Sequence, residues 1–351
     1  MKKLFFLTLS FLGLLSVLSS CSKEVEGNMA EGLYQPKYKI QEITENSKTL
    51  SAWTWGTSKL ASISDIENHC EMTFNYTGDL LGSVLFNYND GSEDESIYYT
   101  YGGSLLTKVE IVRGSTTLVI LNVNHNASDE ISNINIEISD AYLVEFAIQQ
   151  MGMGGKAITH LLSPSAIEAI TEIAKKFPSK NGKYSIGNKH FSIAYTWNDG
   201  NLIKEVLSGN VTAETSLSDI GSILDLGPYF DMILNYINLE QDFPLSCTIH
   251  RETNYSYDEN PNPLLYFWGN GIDAKNLSKN NMLNSIATGS IDATIVIAIP
   301  DEVPLLGGTD YPYKQSFDLS GKTSFDYKYN NKHYPTTITS EGHTITYNYS
   351  K

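Results

Sequence analysis

From Trp53 onward this chain alternates, apolar then polar, over one short run after another. Val84, Phe86 and Tyr88 fall on one side of such a run, as do Ile97, Tyr99 and Tyr101, and Ile134, Ile136 and Ile138. Phe325, Tyr327 and Tyr329 alternate with Ser324, Asp326 and Lys328; Ile345, Tyr347 and Tyr349 alternate with Thr344, Thr346 and Asn348. Successive side chains of a strand point to opposite faces, so a period of two predicts half-buried antiparallel strands. Polar turns separate the runs: Thr77-Gly78-Asp79, Asn89-Asp90-Gly91, Gly102-Gly103 and Asn198-Asp199-Gly200. Asp-Gly and similar pairs supply the positive φ that tight hairpins require.

The hairpins share a plan of two aromatics, a polar turn and then an apolar residue. Phe74-Asn75-Tyr76-Thr77-Gly78-Asp79-Leu80 is one copy, Tyr99 to Val109 a second, Tyr195 to Val206 the clearest, and Phe325 to Pro335 a late variant. Such self-similarity marks a repeated supersecondary unit. Stacked hairpins build a mainly β fold, a long curved antiparallel sheet that is partly or fully barrel-like, because a long sheet must curl or close to manage its edges. Helical insertions are predicted near 142–178 and 217–239. Ser163-Pro164 starts one with a cap residue and a first-turn proline. The second breaks at Gly227-Pro228.

The N-terminus has a different character. Lys2 and Lys3 precede an apolar run from Leu4 to Leu18, which ends in Leu18-Ser19-Ser20-Cys21. The run is too short for a spanning helix, which needs about 20 apolar residues. Its flanks fit a cleaved signal peptide with a lipobox over residues 1–20. Cys21 is then the lipidation site and the link to the membrane. Residues 21–36 read as a flexible tether, and 37–351 as a single β-rich domain. Ser22, where Asp would favour retention at the inner membrane, points to the outer membrane. The following Lys23, Glu24 and Glu26 resemble the charged tag of some surface-displayed Bacteroidetes lipoproteins, a resemblance that implies the cell surface over the periplasmic face.

The aromatic hairpins resemble YD-type repeats. Tyr255-Ser256-Tyr257-Asp258-Glu259-Asn260-Pro261-Asn262-Pro263, then Leu277 to Asn281, and the terminal Phe325-Asp326-Tyr327, Tyr334 to Ile338 and Thr346 to Tyr349 are similar to a Bacteroidetes lipoprotein family described as having a porin-like β fold. That resemblance implies a large curved or barrel-like sheet and carries no activity with it. A pore does not follow from it, because the strands alternate aromatic with charged residues and show no defined lipid band.

Charge and motifs narrow the chemistry. The formal charge is −16, and −18 without Lys2 and Lys3. Such a surface repels phosphate backbones, which argues against nucleic acid as a partner. His69, His125, His160, His190, His250, His333 and His343 form no metal-ligand spacing. Gly152 to Ala157 lacks the phosphate-loop spacing, and Asp90 to Glu95 lacks the calcium-loop pattern. There is no serine nucleophile elbow. No metal, cofactor or catalytic residue is therefore assigned. Cys70 and Cys247 are a candidate disulfide in an exported chain, or else two buried thiols.

Trp53, Trp55, Trp197, Trp268 and 22 tyrosines remain. An aromatic face with a polar tip suits a sugar ring, and it equally suits cross-strand packing. Trp268, beside Gly269-Asn270-Gly271, is the first candidate for ligand stacking, with Trp53 and Trp55 behind it. The functional reading is a non-enzymatic binding or accessory module of the cell envelope, for a glycan or a protein. A structural or assembly role at the outer membrane comes second, and a glycoside-processing enzyme third.

Overall fold

The computed structural model describes residues 34, 36, 38–66, 69–89, 91, 93–140, 142, 185–216, 242–270, 272–298, 301 and 308–350. Eighteen antiparallel strands make one sheet. In order they are β1 (Ile40–Glu45), β2 (Lys48–Trp55), β3 (Leu60–Asp65), β4 (Cys70–Thr77), β5 (Leu80–Tyr88) and β6 (Glu95–Gly102). Then come β7 (Leu105–Arg113), β8 (Thr116–His125), β9 (Ile131–Ile138), β10 (Ser185–Asn198), β11 (Asn201–Ser216) and β12 (Asp242–Pro261). The last six are β13 (Asn280–Ala298), β14 (Asp310–Asp318), β15 (Gly321–Ser324), β16 (Asp326–Tyr329), β17 (Pro335–Ser340) and β18 (His343–Tyr349).

Each strand from β1 to β13 pairs with the next. Both β14 and β15 pair with β13, in one unbroken register from Ser290↔Asp318 to Asn284↔Ser324. Only Phe325 separates β15 from β16, which pairs with β17. Thus 310–329 is one interrupted strand that changes partner part-way along. β18 pairs with both β17 and β1, where Ile40 faces Tyr349. The sheet curls until its first and last strands meet, yet it does not close along its full height. Residues 310–324 pair with β13 on one side only, among the described residues. Strands β10 to β13, at 14, 16, 20 and 19 residues, outreach the 6 to 10 residues of β1 to β9.

The alternation in the sequence is the inside–outside alternation of this wall. Val84, Phe86, Tyr88, Ile97, Tyr99, Ile134, Ile136, Ile138, Ile345 and Tyr347 are buried on the inner face. The outer face carries Thr73 and Asn75 on β4, Ser246, Thr248, His250 and Asn254 on β12, and Thr344, Thr346 and Asn348 on β18, all exposed. A membrane porin wall has an apolar band outside and a polar lumen. Here the polarity runs the other way. The turns follow the expected chemistry: Asp199 and Gly200 both have positive φ, 49° and 68°, as a two-residue hairpin turn requires.

What fills the interior was not expected. The connection between β12 and β13, residues 262–279, folds back inside the sheet as a plug. Leu264, Phe267, Trp268, Ile272, Ala274 and Leu277 are all buried. The plug contains a 3-10 turn, Trp268–Asn270, and a one-turn helix α1, Ala274–Leu277. Asp273 caps α1: its carboxylate accepts from the Lys275 N–H at 2.8 Å, while the Asn276 side chain accepts from the Asp273 N–H at 2.9 Å. This reciprocal capping box lets so short a helix hold inside the wall. The segments 142–178 and 217–239 lie outside the described residues except for Tyr142, which is buried. Helix is a minor part of what is described.

Candidate functional site

The plug enters from one end of the barrel-like wall, and the repeated aromatics are what meet it there. In each hairpin the first aromatic of the pair points into the core, as Trp53, Phe74, Tyr99 and Tyr195 do. The register then shifts by a β-bulge immediately before the second: at Thr54/Trp55, Asn75/Tyr76, Thr100/Tyr101, Asn124/His125, Thr196/Trp197, Ser256/Tyr257 and Lys328/Tyr329. A bulge re-aims one side chain and tightens the local twist. Repeated at every turn of this end, it produces a collar of aromatic and imidazole rings.

The collar is hydrogen-bonded strand to strand. The Trp55 indole donates to the Ile40 carbonyl at 2.6 Å, the Trp197 indole to Ile131 at 2.7 Å, and the Tyr349 hydroxyl to Pro335 at 2.6 Å. The Tyr257 hydroxyl donates to the Leu202 carbonyl. Both ring nitrogens of His125 face carbonyl oxygens, of Asp129 and of Leu106, each at 2.8 Å. In every case a side chain at the end of one strand bonds a main-chain carbonyl of a neighbouring strand or its turn. Tyr101 differs: its hydroxyl is buried without a partner among the described residues.

Inside the collar, Phe267 of the plug packs against Tyr34, Trp53 and Phe74, at centroid distances of 5.0, 5.3 and 6.1 Å. Gly269 lies so close to Phe267 and Phe74 that an added Cβ would come within 2.5 and 2.7 Å of their rings. Tyr99 donates to the Trp268 carbonyl at 2.5 Å, and the Lys279 N–H to the Gly200 carbonyl at 3.0 Å. Burial holds the Tyr99 and Tyr195 hydroxyls well above the ordinary phenol range.

Between plug and collar lies a pocket of about 220 Å³, lined by His125, Asp129, Trp197, Tyr266, Trp268 and Lys279 among others. That is smaller than the roughly 300–1,000 Å³ that drug-sized ligands occupy. It suits a group the size of one sugar ring. Trp268 is 3% exposed, and its indole N–H has no acceptor among the described residues. Asp129 and Glu130 both come from the turn between β8 and β9, so the pocket's two carboxylates share one wall. Glycosidase chemistry needs two that flank the bond to be cut.

The expected stacking residues thus fall in different places. Trp268 lines the pocket, beside Trp197, which was not one of them. Trp53 is 5% exposed within the aromatic core, its indole donating to Ser51 at 3.0 Å, and Trp55 belongs to the collar. Neither of these two offers a free stacking platform. Cys70 on β4 and Cys247 on β12 are both buried and free, on strands that have β5 to β11 between them in the ladder. Burial pushes both thiols up to about 12. Among the described residues, no three His, Cys, Asp or Glu side chains gather as a metal site. Cys21 lies outside the described residues.

No family model and no curated protein matches this chain. A solved porin-like protein from Bacteroides uniformis aligns with 91% of this chain and 96% of its own, at 11% identity and a TM-score of 0.24.

Sequence reasoning did not anticipate the plug. Its signal is Leu264-Leu265-Tyr266-Phe267-Trp268, five consecutive apolar residues in what otherwise reads as a turn-rich connection. An exposed loop would not carry them.

Proposed function

We propose that this chain is a non-catalytic binding module of the bacterial cell envelope, lipid-anchored through Cys21, with the pocket between plug and collar as its ligand site. The ligand class is a glycan, presented one sugar ring deep. The observation that carries this reading is the unpartnered indole N–H of Trp268 in a pocket that also holds the rings of Trp197 and Tyr266. Sugar hydroxyls supply both the acceptor this donor lacks and the C–H faces that stack on aromatic rings. A buried donor left without a partner costs about 1–3 kcal/mol, so a ligand that satisfies it gains specificity.

The test is a glycan array followed by titration calorimetry on each hit. A bound saccharide should quench tryptophan emission. Trp268→Phe, which keeps a ring and removes the donor, should weaken binding by about fivefold or more, from the loss of one hydrogen bond. No hit on a broad array, or a hit indifferent to Trp268→Phe, counts against the site. The anchor is tested separately, by whether Cys21→Ala moves the protein out of the detergent phase and off the membrane fraction.

A second reading, an assembly role at the outer membrane, draws on β14. Its far edge has no strand beside it among the described residues, and Tyr311 on it is 51% exposed. An unpaired edge is a template for a strand from another chain.

A further inference from the structure

Deeper in the barrel, on the inner face of its long strands, lies a second polar cluster that the pocket does not use. Tyr195, Glu205 and Thr253 stand side by side across β10, β11 and β12: Tyr195 pairs with Glu205, and Glu205 with Thr253. Arg251 is two residues from Thr253 on the same face. From the plug, the Asp273 carboxylate acts on this wall, and the Lys275 ammonium acts on Asp273. The Asp273 charge acts on Tyr195, Tyr255 and Tyr257, and the Glu205 charge acts on the same three. The Lys275 ammonium sits 4.7 Å from the Phe325 ring centroid.

Every one of these side chains is deeply buried: Tyr195 8%, Thr253 3%, Asp273 4% and Lys275 7% exposed. Yet the Tyr195 hydroxyl, Thr253 Oγ1, Asp273 Oδ2 and Lys275 Nζ have no hydrogen-bond partner among the described residues. Native proteins seldom tolerate even one such group, because each forfeits the hydrogen bonds it made to water when unfolded. Four in one cluster call for a guest. The charges decide its kind. Glu205 and Asp273 balance Arg251 and Lys275, so the cluster attracts neither an anion nor a cation on net charge. Two hydroxyls, one acceptor and one ammonium donor are what a small neutral molecule that both donates and accepts would meet.

We propose that wall and plug enclose a hydrated chamber, in which ordered water is bonded to Tyr195, Thr253, Asp273 and Lys275. Buried water of this sort makes about three hydrogen bonds to otherwise unsatisfied groups. It joins the plug to β10 and β12 through a polar layer, whereas Phe267 and Trp53 join it through a dry one.

Two isosteric substitutions decide between a wet and a dry cluster, because the two predict opposite signs. If Thr253 Oγ1 bonds water, Thr253→Val strands that water and lowers the melting temperature by ~2 °C or more. If the hydroxyl is an orphan, removing it leaves the melting temperature unchanged or raises it. Tyr195→Phe applies the same test to the second hydroxyl. A fall in both variants supports the chamber, and no fall in either one overturns it. A crystal structure of the full chain at high resolution gives an independent check. Discrete density within hydrogen-bond distance of Asp273 Oδ2 and Lys275 Nζ is expected, and direct closure of these groups on each other would sink the idea.

Discussion

The Tyr99 hydroxyl donates a hydrogen bond to the main-chain carbonyl of Trp268, 169 residues further along the chain, at 2.5 Å. The donor belongs to the wall and the acceptor to the plug, and both are buried. This bond fixes the depth of the 3-10 turn within the barrel. Tyr99→Phe keeps the ring and leaves the carbonyl unsatisfied. It should cost ~1–2 kcal/mol in chemical denaturation, and tryptophan emission should shift as Trp268 loosens. An unchanged midpoint would mean that the plug is positioned by packing alone.

Gly269 is the tightest point of the plug. Gly269→Ala drives a methyl into the rings of Phe267 and Phe74, and overpacking of this kind costs ~1–3 kcal/mol. Phe267→Ala acts from the other side by removing the ring that three aromatics surround, at ~3–5 kcal/mol. Limited proteolysis should show both variants cut within 262–279 while the wall resists. Uniform cleavage throughout the chain would show instead that plug and wall unfold as one unit.

The collar makes a separate prediction. Tyr349→Phe deletes the hydroxyl bonded to the Pro335 carbonyl, beside the place where β18 meets β1. A loss of ~1 kcal/mol is expected. Hydrogen exchange should quicken in β17, β18 and β1 and stay as it was in β6 and β7. A spread of the effect to those distant strands would mean the collar acts as a whole ring.

The thiols bear on alkaline stability. Cys70 and Cys247 ionise near 9 when unfolded, and burial pushes both up to about 12 in the fold; Tyr76 moves from 10 to about 12 for the same reason. The folded state therefore prefers the protonated forms. The stability this contributes is complete below pH 9 and is lost as pH rises from 9 to 12. At pH 8 a thiol reagent should leave both cysteines unmodified until denaturant is added, and a reductant should not shift the denaturation midpoint. Rapid native labelling of either thiol would contradict the burial described here.

Much of this architecture was written in the chain. The alternation of Val84, Phe86 and Tyr88 names an inner face, and the Asp199-Gly200 turn follows from backbone sterics alone. The aromatic pairs were visible as a repeat. Their meaning was not, since a period of two puts Tyr99 and Tyr101 on one face as equals. The structure makes the first a core residue and the second a collar residue, and the difference is a bulge, which leaves no mark in hydrophobic period. Trp268 stood out beside Gly269 as if at an exposed tip. Local composition cannot say whether a connection turns outward or inward, because that depends on a lumen formed by strands far away in sequence. The pocket depends on the same tertiary choice, bringing His125, Trp197 and Trp268 together from three separate hairpins.

Tyr34, the first described residue, lies against Phe267 and Trp55, and the main chain then enters β1 at the plugged end. A molecule moored by its N-terminus would consequently stand with the plug and pocket facing its mooring. The far ends of β10 to β13 would point away from it. The 14 residues from Cys21 to Tyr34 can extend at most ~45 Å. Any glycan reaching the pocket would then have to come from the membrane side, within that clearance.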